Sequence, residues 1–595
     1  MRNKYYTFGS AAVGALTLAA CAAWMPGDDA ATEAETTDAP FIDPVILSQN
    51  RCGGAPIQPP QPTQDMTADA ASFDFADAFP LPEDVVAHFA YAVSTSSEDA
   101  QRWFDTGLAH MANFNHDEAI AAFRAAQAAD PACAMCYWGE GLSFGSNINA
   151  PFNPARGAAG LAAAEQAFAR IESASAPEAA LIEALMARYA ATDDGMVETA
   201  DRYADAMNLV ARAYPSDKMI LALAAEANLN TQPWDYWQPG AREPKGRTAR
   251  TIELLESALD IDPEFAPSIH LYIHATEASV DPYRAESYAD TLAGQSLGVG
   301  HLVHMPSHIY LKLGHWKKSH DANIAAIADD EAYIAESENA AAYAAVYYPH
   351  NVHFVVANAQ LGGDGDTARE MSDKLDAIVD LDPDMAVPFG EHIAAAPVFT
   401  ALQFGDNDAI LARDEPAEAH LFSRTVWHYA RGAVLTDQGD MDGAKAELDA
   451  LAGLQDADMA TYDAYGVPVA GIMDVAHLTL EGRMLAAEGD MDQAVDKLDA
   501  AADKHEQLSY MEPTWWYYPT RQTLAAYLLR NGQADRAERE FFRTLLNSPN
   551  NAYALYGLAE AYKAQGDARS EAHARHLFGE AWIGNPEETP ELTKL

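Results

Sequence analysis

Cysteine is scarce in this 595-residue chain, with four in all, and basic side chains are outnumbered 37 to 89 by acidic ones. The resulting net charge of −52 repels phosphate backbones and anionic headgroups, so nucleic acid is not expected as a partner. No apolar run after the first twenty residues is long enough to span a bilayer. Alternating apolar and polar residues of useful length are missing too, which argues against a β architecture. No Ser-His-Asp elbow, phosphate loop or H-E-x-x-H pattern occurs, so the familiar hydrolytic and nucleotide-binding chemistries have no foothold.

What is present begins with Arg2 and Lys4 ahead of a short apolar run that closes on Leu18-Ala19-Ala20-Cys21. That ending resembles the bacterial lipobox, which implies a signal peptide over residues 1–20 and lipidation at Cys21. Ala22 in place of Asp implies the outer membrane, so the chain is expected in the cell envelope, held to the membrane through its N-terminal lipid. Residues 21–75 read as an acidic and proline-rich tether with too little apolar surface to fold. In such a compartment Cys133 and Cys136, a lone C-x-x-C, are candidates for a disulfide, within the motif or with Cys52. Two small buried residues or a soft-metal site are the alternatives.

Small and large residues then recur at a fixed period. With Pro131 set at position 32 of a 34-residue unit, Trp103 falls at 4, Gly107 at 8, Ala119 at 20, Phe123 at 24 and Ala126 at 27. Gly432 with Ala444, Gly482 with Ala494, and the segment ending at Pro549 repeat the register. This pattern resembles the tetratricopeptide repeat (TPR), which implies an all-α, TPR-type right-handed solenoid of antiparallel helix hairpins, roughly eight to ten of them. Residues 95–265 form N-terminal repeats, 266–375 a histidine-rich centre and 376–580 the C-terminal repeats.

The centre carries the chemistry. Nine of the nineteen histidines lie between residues 270 and 353. His270 with His274, and His304 with His308, are spaced i,i+4, so each pair shares one helix face, with Glu277 one turn beyond the first. Counted in the repeat register, His270, His274, Glu277, His304, His308, His350 and His353 take positions that in TPR proteins line the concave groove. Imidazole and carboxylate together suit a divalent transition metal, Cu or Zn first, Fe or Mn also fitting. His301, His315 and His320 fall outside those positions and read as surface or packing residues, and the 15 extra residues between His304 and His353 require a longer hairpin or loop. The aromatic segments at residues 231–240 and 511–521, and more weakly Asn147 and Asn149, read as packing, or as a ligand platform or lid at the groove. The sequence therefore points to an envelope-anchored lipoprotein whose groove binds one or two metal ions, as an enzyme or a carrier. The other reading is a scaffold holding a peptide or protein partner there with neither metal nor catalysis.

Overall fold

The computed structural model describes residues 73–192 and 195–594. The segment resembling a lipobox, with Cys21, and Cys52 lie outside them, as do residues 21–72 of the expected tether. Helices follow one another as antiparallel pairs, from Glu98–Ala112 with His116–Ala129 to Ala552–Gln565 with Ala568–Ala581, twelve such pairs among the described residues. The fold is thus an all-α, TPR-like solenoid with more hairpins than the repeat count suggests. Among the described residues no helix is long and apolar enough to cross a membrane.

Close approach of the paired helices explains the small residues of the repeat. A Cβ on Gly107 would lie 2.7 Å from the Phe123 ring and one on Gly139 2.4 Å from it, so the ring fills the gap that two glycines leave. Gly482 against Leu498 and Gly557 against Phe541 repeat the arrangement near the C-terminus. Among the described residues the one pair of strands is a two-stranded antiparallel hairpin, Tyr189–Thr192 with Gly195–Glu198. It is too short to carry a period, and it is held by the buried Arg188–Glu198 ion pair and by the Tyr189 hydroxyl donating to the Gly141 carbonyl. Cys133 and Cys136 are disulfide-bonded to each other and fully buried, which removes the soft-metal alternative for them.

The extra residues between His304 and His353 lengthen helices instead of forming a loop. Trp316–Glu336 and Ala341–Gly362 run 21 and 22 residues and pack as one long hairpin. This hairpin lies at the junction of the two largest apolar cores: Tyr347 belongs to the N-terminal one and Val352 to the C-terminal one. His350 sits between them in sequence.

Distant repeats also fold onto the centre, so the histidines do not line an open groove. The Trp316 indole donates to the Asn550 carbonyl and the Ile583 amide to the Gly362 carbonyl, joining the C-terminal repeats to the long hairpin. From the other side, the Asn113 side chain accepts from the Leu302 amide. The leading segment is pinned across this side by Glu118, a wholly buried carboxylate that accepts from the Phe79 amide, Tyr333 and Ser337. Groove positions have become interior positions.

Candidate metal centre

The Ala266–Thr276 helix presents His270 and His274, and Glu277 caps its end. The Gly300–His304 helix adds His301 and His304, and Pro306–Leu313, continuing it through helical Met305, adds His308. His350 comes from Ala341–Gly362. These side chains form three groups whose ligand atoms lie within 4.8 Å of one another: His270 with His274 and His301, His304 with His308 and His350, and Glu277 with His308 and Glu512. The first two groups are neighbours, since the His301 and His304 rings stack 5.9 Å apart and the His274 and His308 rings lie 5.5 Å apart.

Six of the seven sequence-selected residues are therefore brought together, and three corrections follow. His301 is not a surface residue: it is 1% exposed, and its ligand atom lies with those of His270 and His274. His353 does not join; its ring packs 4.8 Å from His392 and 5.5 Å from Tyr517 instead. His350, which the register also selected, does join, from an unusually long helix with Pro349 inside it, where a count from the standard repeat no longer holds. Glu512, absent from the sequence reading, arrives from the second aromatic segment, 204 residues from the His308 it bonds. His315 and His320 do stay outside, on Glu286 and Asp321.

The aromatic segments cover the cluster. Trp234 stands edge-on to His274 at 5.2 Å, and the Trp237 indole donates to the Ala275 carbonyl. Phe114 packs on His270 and His301, and Phe354 on His304 and His308. Asn147 meets His116 at 3.2 Å instead of the cluster, and Asn149 hydrogen-bonds Tyr347, whose ring packs on His301. Behind the first group, the His301 amide donates to the Tyr343 hydroxyl, which donates to buried Asp330.

Hydrogen bonding decides which ring nitrogens remain available. Asn323 donates its amide N–H to the Ser319 carbonyl, so its oxygen must accept from His304 Nδ1, 2.6 Å away. His308 Nδ1 lies 2.8 Å from a Glu277 oxygen and 2.9 Å from a Glu512 oxygen, so it carries a proton as well. In neutral rings both Nε2 atoms then hold lone pairs, and these two atoms face each other at 2.8 Å. His270 Nε2 and His301 Nε2 repeat the juxtaposition at 3.1 Å, and His274, with Nδ1 on Glu277, leaves a buried Nε2 without a partner. Between His304 and His308 this crowding is relieved by a cation, either a proton or a metal ion; the His270–His301 pair also closes as a neutral N–H···N bond, because His301 Nδ1 has no partner.

The ionisation of the rings follows. Burial holds His270, His274, His301, His304 and His350 well below the usual imidazole range, and neighbouring imidazoles lower them further. For His308 burial also acts downward, but Glu277 and Glu512 outweigh it and raise the ring to about 10. His308 is thus the one imidazolium of the cluster, its second proton standing where a metal ion would. Carboxylates that hold Nδ1 of His274 and His308 orient Nε2 as the partners of metal-bound histidines do. Two imidazoles on a tetrahedral ion at about 2.0–2.1 Å have nitrogens about 3.3 Å apart, so the observed pairs need open by only a few tenths of an ångström.

No protein-family model and no curated protein matches the chain. Among solved structures, a human IFIT1 dimer with m7Gppp-AAAA is similar at 13% identity over 84% of this chain and 93% of that one, with a TM-score of 0.31. The P58(IPK) TPR domain is similar at 16% identity over 59% and 91% with a TM-score of 0.18, and the APC/C hetero-tetramer Cut9-Hcn1 at 13% over 83% and 75% with 0.26. At these scores the likenesses carry no functional argument.

Proposed function

We propose that the interior binds transition-metal ions, one in each three-imidazole group, with Glu277 and Glu512 orienting His274 and His308. The observation that carries this reading is the pair of Nε2 atoms of His304 and His308 facing each other at 2.8 Å while both Nδ1 atoms are committed to acceptors. The imidazole-rich donor set favours Cu or Zn, with Fe or Mn accommodated. Three nitrogens leave a further coordination position on each ion, so either storage or chemistry is open to the site. With His270, His274, His301, His304 and His308 no more than 3% exposed, that chemistry is confined to molecules of about the size of water.

The metal-free chain should gain thermal stability on adding Cu(II) or Zn(II), by about 2.7 kcal/mol at a hundredfold excess over the dissociation constant. The double change His270→Gln with His304→Gln should remove that gain. If none of Cu, Zn, Fe or Mn at neutral pH moved the wild-type melting temperature, the reading would fall. A protein or peptide partner would then be the better account; exposed Phe389 and Tyr465, with rings 6.3 Å apart, offer such a partner a surface away from the imidazoles.

The envelope setting belongs to the same proposal. The Cys133–Cys136 disulfide suits an oxidising compartment, and the lipobox supplies the anchor. Cys21→Ser should move the chain from the membrane fraction to the soluble one or leave it unprocessed. Unchanged fractionation with normal processing would refute the anchor.

A further inference from the structure

A cavity of about 30 Å³ lies among the Glu98–Ala112, Lys218–Leu229 and Ala266–Thr276 helices. His270, a ligand of the first imidazole group, forms part of its wall. So do two thioethers, Met111 and Met219, from different helices. The remaining wall is apolar apart from Glu226, its one carboxyl group. Ala112 and Glu226 are partly exposed, whereas His270 behind them is 1% exposed, so solvent reaches the rim of this cavity and stops there.

We infer that this cavity is a loading site for cuprous ion, in which Met111, Met219 and His270 receive Cu(I) and pass it to the group formed by His270, His274 and His301. The inference rests on the metal reading above and narrows it to a metal and an oxidation state. Two thioethers beside one imidazole are soft, uncharged donors that select Cu(I) and have little affinity for Zn(II), Mg(II) or Ca(II). Apolar walls act the same way, because a divalent ion surrenders more hydration on entering them than a monovalent one does. The Glu226 carboxylate matches the single charge of Cu(I). His270 belongs to both places, so transfer is ligand exchange: Cu–S bonds to Met111 and Met219 break as Cu–N bonds to His274 and His301 form. Copper stays Cu(I) throughout, and no electron moves. Methionines used only for packing would fill the same wall, and leucine would then serve as well.

The test uses the full metal-free chain without oxygen, given Cu(I) from a chromophoric chelator and, separately, Zn(II). Met111→Leu with Met219→Leu keeps volume and apolarity, so the fold is retained. Copper uptake should slow by about tenfold, equivalent to about 1.4 kcal/mol of barrier, while zinc uptake and the final copper content stay as in wild type. X-ray absorption at the copper edge, recorded on samples frozen during uptake before transfer is complete, should show a sulfur neighbour in wild type and lose it in the variant. Wild-type uptake rates in the variant, or an all-nitrogen shell in the wild-type chain under those conditions, would overturn the loading site and leave the imidazole site standing. Failure of the wild-type chain to take up either metal would overturn both.

Discussion

Replacing His308 by alanine lowers the stability of the metal-free protein by about 3–5 kcal/mol, the cost of leaving buried charge uncompensated. Glu277 and Glu512 are 0% and 6% exposed, and both address His308 Nδ1 within 2.9 Å. Without the imidazolium, the two carboxyl groups face each other with no cation between them, and one of them must take up a proton. The second change Glu512→Gln removes one of these charges, so His308→Ala with Glu512→Gln should recover a substantial part of the loss. Thermal and urea unfolding of the single and double variants measure this directly. A single variant as stable as wild type would show that His308 is not the cation holding this part of the interior together. The same conclusion would follow if the double variant were no better than the single one.

Acid should destabilise the fold steeply, and the sign follows from proton counts. His270, His274, His301, His304, His350 and His353 are held neutral by burial, and His116, His392 and His505 are lowered to about 3, 4 and 4. Below about pH 6.5 the unfolded chain protonates these rings and the folded chain does not, so stability falls with pH by up to about 1.4 kcal/mol per ring per unit. Buried acids oppose this. Asp330, raised by burial to about 7, and Asp105, raised by burial to about 6, hold protons in the folded state that the unfolded state has released. Glu512, also raised by burial, acts in the same direction. The nine imidazoles outnumber these acids, so the net slope between pH 6.5 and 4.5 is that of the histidines. The His308 contribution is complete below about 6.5 and is lost only as pH rises through about 10. A bound metal steepens the acid loss, because protons compete for the same nitrogens. A melting temperature that stayed level from pH 6.5 to 4.5 would mean that these rings are not neutral in the folded chain.

Much of this was legible because helices make local spacing informative. His270 with His274 and His304 with His308 had to share faces whatever the surroundings, and Gly107, Phe123 and Pro131 set the hairpin register. Two failures came from applying that register where the helices depart from it. His301 and His304 lie on one short helix yet serve different groups, and a register that admits only groove positions set His301 aside. In the long Ala341–Gly362 helix, with Pro349 inside, the same count admitted His353 alongside His350, and only His350 joins the cluster. Glu512 left no periodic signal at all. It sits in a non-helical segment far along the chain, and only the folding back of the C-terminal repeats brings it to His308. The concentration of Trp, Tyr and Pro around it marked the segment as something that packs, without saying against what. Burial of the groove was hidden for the same reason: it depends on contacts such as Trp316 with Asn550, which no repeat pattern encodes.

The most direct measurement is the metal content of the purified full-length chain, with X-ray absorption at the edge of whichever metal is found. One ion per three-imidazole group, each with a shell dominated by imidazole nitrogen, is the expected result, and the ions should leave when the protein is acidified. A chain that carries no metal as purified and takes up none of Cu, Zn, Fe or Mn at neutral pH would contradict it.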